Sequence, residues 1–294
     1  SRRIPDMDPT EQVFESEATP LQRGLYADIR RTFRAPIVNS IWRTLVANEP
    51  ELAQYIWGQV KPVFQTREFA AFTVAHRNHI IATVESDLPE YDPADLDIEP
   101  AAFTELREQL ATFDIVSPRL VVLFSLLNRR LNDRPVGTER GGEPATAPFP
   151  QWLDSGRGRP PTMVSQEKAR STIPADLAGG FGEMVPSVYR CLAQWPPYLE
   201  RADTDLRSII ESEEYTDASR KAFEFAETYL DRLPYTPRVD PDGLANQGAE
   251  TETIEELRDL FETFLSGAKK VLPLLHIHAA TVGAAGERRA LTFP

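Results

Sequence analysis

The sequence predicts an all-α protein in which one helical unit occurs twice in tandem, the two copies forming a pseudo-dimer with a cleft between them. Three observations lead there. Apolar residues recur at spacings of three and four over most of the chain, as amphipathic helices require. No segment shows the strict apolar–polar alternation of a half-buried strand. Glu105-Leu106-Arg107, followed by Thr112-Phe113, returns as Glu256-Leu257-Arg258, followed by Thr263-Phe264, with the spacing unchanged.

The elements follow in order. Residues 1–18 are polar and acidic and read as a lead-in. Leu21, Leu25, Ile29 and Phe33 predict a first helix with one apolar face. Residues 37–48, 51–64 and 68–84 predict three more, and the Pro- and Asp-rich stretch 86–97 a loop. Residues 100–113 predict a helix with proline in its first turn, where the missing N–H costs nothing. Residues 118–131, strongly apolar, predict a separate helix. Residues 134–165 hold six prolines and five glycines and read as a linker. Helical spacing returns over 185–194, 197–212, 218–232, 251–264 and 268–285, interrupted by a second loop at 233–249. Leu45 to Pro50 also stands opposite Cys191 to Pro196, with the same order of loops around both. The expected organisation is a lead-in (1–18), repeat 1 (19–133), linker (134–165) and repeat 2 (166–294). Ligand sites favour the interface between such halves.

Composition narrows the function classes. The formal charge is −13, from 45 acidic and 32 basic residues, and a nucleic-acid partner would demand basic surface. Of the basic residues 27 are arginine and five lysine. Acid excess with few lysines is expected of a halophilic protein in a high-salt cytoplasm, where the Debye length falls to about 3 Å; a GC-rich genome gives the same arginine bias. The one cysteine, Cys191, excludes an intrachain disulfide and a CxxC pair, and a buried, inert thiol is expected. No apolar run approaches the roughly 18 residues that span a bilayer, and no apolar core follows Ser1-Arg2-Arg3-Ile4-Pro5. A cytoplasmic protein without a membrane partner is expected.

Several short motifs carry a resemblance. Tyr26, Asp28-Ile29-Arg30, Thr32, Arg34, Pro36 and Val38 resemble the first signature of the group I DL-2-haloacid dehalogenases. Arg134-Pro135-Val136-Gly137, then Leu192, Ala193, Trp195 and Pro196, then Ser219-Arg220, Leu233-Pro234 and His276-Ile277 are similar to later family segments in the same order. The resemblance covers residues 20–294. It implies an all-helical pseudo-dimer with a cavity between repeats and no cofactor. It also implies hydrolysis of a 2-haloalkanoic acid by water that a general-base aspartate activates, an asparagine positioning the chemistry. The family spacing places that aspartate at Val188 and the asparagine at Ser117.

Valine has no lone pair to take a proton, so hydrolysis through this position is not expected. A relocated base is the alternative, and a non-enzymatic structural or interaction protein a further one. If active, the chain would be a hydrolase of carbon–halide bonds. Other candidates read first as structural. Asp114, ahead of Pro118, suits a helix start. Glu183 suits a solvated loop, and Trp152 and Trp195 suit packing. His76 and His79 share a helix face, whereas His276 and His278 diverge on theirs; no metal site is expected. Arg34 and Arg190 could fork a ligand carboxylate. Asn39, Trp42, Ser117, Val188 and His276 are the ligand-binding candidates, and the expected partner is a small molecule, with a homodimer left open.

Overall fold

The computed structural model describes residues 7–137, 160–174 and 184–286. Trp152, Glu183 and most of the expected linker lie outside the described residues, which contain helices and no extended strand. The first five helices are α1 (Pro20–Phe33), α2 (Ser40–Asn48), α3 (Pro50–Val60), α4 (Arg67–Val84) and α5 (Pro100–Leu131). After the linker come α6 (Gln166–Thr172), α7 (Ser187–Leu192), α8 (Pro196–Ile210), α9 (Glu213–Asp231), α10 (Pro241–Ala245) and α11 (Thr251–Thr281).

Local chemistry sets the helix ends. Thr19 and Gln22 form a reciprocal capping box at the start of α1. Ser212 accepts from the Tyr215 amide at 3.1 Å and starts α9, ahead of Glu213 and Glu214 in the first turn. That start lies five residues before the expected one. On α1 the buried face is Tyr26, Ile29 and Phe33, while Leu21 is 69% exposed. Steps of four residues drift about 40° each on a 3.6-residue helix, so Leu21 has left the face that Phe33 occupies.

Helices α5 and α11 pair more extensively than any other two. Each was expected as two helices, and each runs unbroken through an internal proline, Pro118 or Pro273. Proline removes one helical hydrogen bond, but both helices lie in a packed core that holds them together. The residues preceding the two prolines meet: Ser117 Oγ donates to the Leu272 carbonyl at 2.7 Å. Because α5 is continuous, it contains a stretch long and apolar enough to cross a membrane, contrary to the expectation above, and that stretch is entirely buried among the other helices. Around this pair, α9 packs on both α4 and α5, and α4 on α11.

Similar backbone details occur early and late in the chain. Glu49 and Trp195, which precede the prolines opening α3 and α8, share one unusual conformation (φ −138°, ψ 70° and φ −124°, ψ 70°). Asp97 and Gly248, both with positive φ, stand two residues before the N-caps Glu99 and Glu250 of α5 and α11. Asp133 and Gly283, again with positive φ, follow the ends of the same two helices.

Candidate functional site

A cavity of ≈ 60 Å³ lies between the α5–α11 pair and the first turns of α2 and α7. At about 10–15 Å³ per water-sized group, it admits a small organic molecule. One wall is the α5 stripe Phe113, Val116, Leu120 and Phe124, spaced by threes and fours so that all face one way. Phe264, Val271, Leu272 and Leu275 of α11 face it. The polar groups gather at the other end: Gln12, Asn39, Ser40, Gln166, Ser187 and Arg190.

The cavity brings together two of the expected ligand-binding residues. Asn39 is the N-cap of α2, makes no side-chain capping bond, and leaves Oδ1 without a partner among the described residues. Val188 sits in the first turn of α7, is 2% exposed, and lines the cavity. The other three stand elsewhere. Ser117 lies behind the wall, bound to Leu272. Trp42 is buried edge-on against Trp57, their ring centroids 5.3 Å apart. His276 turns away from the cavity toward Asp114. Arg34 closes α1 in the left-handed conformation and is not in the lining.

Asp114 is not at a helix start. It lies in the middle of α5, buried, and gathers polar partners from remote parts of the chain. Arg77 Nε of α4 donates to both its carboxylate oxygens at 3.1 and 2.9 Å. His276 Nδ1 of α11 is 2.7 Å from Oδ1, and the Gly286 amide donates to Oδ2 at 3.0 Å. Burial alone would raise the Asp114 pKa; Arg77, His276 and Gly286 outweigh it and hold the carboxyl below the usual range. Burial pulls His276 down, against the opposing pull of Asp114, so the imidazole is neutral at pH 7. Nδ1 then carries the proton donated to the carboxylate, leaving a lone pair on Nε2. Nε2 has no partner among the described residues. The neighbouring ring is His76, 5.3 Å away and also buried. His278 belongs to a separate cluster, with Nδ1 2.8 Å from the Tyr198 hydroxyl.

Sequence reading missed Gln12 and Arg43 at the polar end. Arg43 is one helical turn beyond Asn39, a spacing that puts both on one face of α2; that was the available signal. Gln12 sits in the lead-in, where nothing periodic points to it, and it accepts from Arg43 Nε at 2.9 Å. Cys191 is buried, and burial pushes its thiol pKa far up, in keeping with an inert group.

Chemically, the cavity can enclose a small apolar body and hydrogen-bond one polar end. Among its described lining residues there is no Asp, Glu or His.

The family model described as halocarboxylic acid dehydrogenase DehI matches residues 36–170. An (R)-2-haloacid dehalogenase of Pseudomonas putida is 24% identical over 272 residues, covering 87% of this chain and 88% of its own. A complex of a D-2-haloacid dehalogenase mutant with D-2-CPA superimposes with a TM-score of 0.79 at 20% identity, over 92% of this chain and 94% of that one. A D-2-haloacid dehalogenase complex with L-LA gives a TM-score of 0.76 at 20% identity, over 92% and 95%. The solved structures establish a shared all-helical fold. The family model and the curated relative both point to the 2-haloacid dehalogenase family.

Proposed function

We propose that this chain is a divergent member of the family that binds a small carboxylic acid in the cavity between its two helical halves and does not hydrolyse it through residue 188. One observation carries the reading. The position where the family resemblance puts the general base lines the cavity and is Val188. An isopropyl group cannot deprotonate water, and no other described lining residue is a carboxylate or an imidazole. An open cavity with a polar end also counts against a purely structural protein, whose cleft would be filled by side chains. We infer that the halves are copies of one unit, residues 19–133 and 166–294. Support comes from the matched turns at Asp97 and Gly248, and at Asp133 and Gly283.

A second reading, an active carbon–halide hydrolase with a relocated base, has one observation in its favour. The Asp114–His276 pair is a carboxylate-oriented imidazole with a free lone pair, and it lies beside the wall residues Phe113 and Leu275. The test is incubation with each enantiomer of 2-chloropropionate, following binding by calorimetry and chloride release by ion chromatography. Binding without chloride release is expected. Chloride release that disappears in His276→Gln would replace this reading with the second; release that survives it would overturn both.

A further inference from the structure

We infer that Arg43 and Arg190 form an anion subsite at the polar end of the cavity, holding the carboxylate of the bound acid. The inference rests on the reading of the cavity as a small-acid site and adds the groups that select the charge. Arg43 is 4% exposed and Arg190 9%. Neither has a carboxylate within ion-pairing distance among the described residues. Their hydrogen bonds go to neutral acceptors instead. Arg43 donates to the Val38 carbonyl and to Gln12 Oε1, and Arg190 Nε donates to the Val164 carbonyl at 2.9 Å. Arg43 Nη2 is buried and has no hydrogen-bond partner among the described residues.

Buried charges in proteins are normally paired. Here two of the same sign lie close enough to act on each other: burial, and then Arg190, pull the Arg43 pKa down to about 10. Both stay charged at pH 7; Glu15 offsets part of the Arg43 charge from a distance but is itself paired with Arg30, so among the described residues the corner keeps an excess of positive charge. It also faces the right way. Arg190 lines the cavity directly, three residues beyond Ser187. Arg43 sits behind Gln12 and one turn along α2 from Asn39, both of which line it. Ser40 and Ile41, in the first turn of this nine-residue helix, line the same space, and first-turn amides lack helical acceptors. A planar guanidinium suits a carboxylate, and the apolar walls suit a short hydrocarbon substituent. The ligand class is therefore a small monocarboxylate with an apolar body.

The test compares 2-chloropropionate with its uncharged analogue 2-chloropropionamide by calorimetry. The proteins are the wild type, Arg190→Gln, Arg190→Lys and Arg43→Gln, with circular dichroism to confirm folding. The acid is expected to bind the wild type more tightly than the amide. Arg190→Gln is expected to weaken acid binding roughly 10- to 100-fold, to leave amide binding unchanged, and to be partly rescued by Arg190→Lys. If Arg43→Gln fails to fold, Arg190→Gln alone decides. Equal binding of acid and amide, or undiminished acid binding by Arg190→Gln, would overturn the subsite and leave the cavity reading intact. No binding of either compound to the wild type would overturn the cavity reading and the subsite with it.

Discussion

Asp114 and His276, 162 residues apart in sequence, meet at 2.7 Å across the seam between α5 and α11. With Arg77 of α4 on the same carboxylate, they tie three helices at a point one residue from the cavity wall. Removing one partner of a buried ion pair strands the other charge and typically costs about 3–5 kcal/mol. Asp114→Ala should lose that much stability in urea unfolding, whereas Asp217→Ala, in an exposed pair on α9, should change it by less than about 1 kcal/mol.

The same carboxylate fixes a pH dependence. Its folded pKa is depressed, so its stabilising contribution is complete above the unfolded value of about 3.9 and is lost as pH falls through the lower, folded value. The stability difference between wild type and Asp114→Asn should therefore be constant above about pH 5 and shrink below about pH 4. Urea midpoints measured from pH 3 to 7 would show it.

His278 titrates in a different window. Burial lowers its pKa from 6.5 to about 4. The unfolded chain then binds the proton that the folded one refuses, so stability falls as pH drops from about 6.5 to about 4. The shift corresponds to about 3 kcal/mol at most. His278→Gln should flatten the stability profile in this interval, and a slope unchanged by the substitution would speak against a neutral buried imidazole.

The proline-flanked contact between the two long helices should be worth less. Ser117→Ala deletes the donor to the Leu272 carbonyl, an acceptor that keeps its place in the helix. About 1 kcal/mol of destabilisation is expected, measurable by thermal or urea unfolding. By contrast, Phe264→Ala opens the cavity wall and should cost about 3–5 kcal/mol.

Much of this molecule was legible in its sequence. Helical periodicity identifies the helices because each buries a stripe, and the Glu-Leu-Arg and Thr-Phe copies fall on α5 and α11 as expected. The failures have physical causes. Pro118 and Pro273 read as helix breaks because proline is costly in an isolated helix, and only tertiary packing carries α5 and α11 through them. Asp114 read as a helix-start carboxylate because its partners Arg77, His276 and Gly286 are remote in sequence. At the site, Val188 was legible only through the family resemblance, and Asn39 through its helix, expected to face the seam between the halves. Arg43 and Gln12 were not, since a buried arginine looks in sequence like any surface arginine and nothing periodic marks the lead-in.

We propose that the absence of a carboxylate at residue 188 keeps this chain from haloacid hydrolysis, and chloride release by Val188→Asp, alone and combined with Ser117→Asn, tests it most directly. The account predicts no release above the protein-free rate from the wild type with either enantiomer of 2-chloropropionate, and release from the variants. Release by the wild type at the rate of the variants would contradict it.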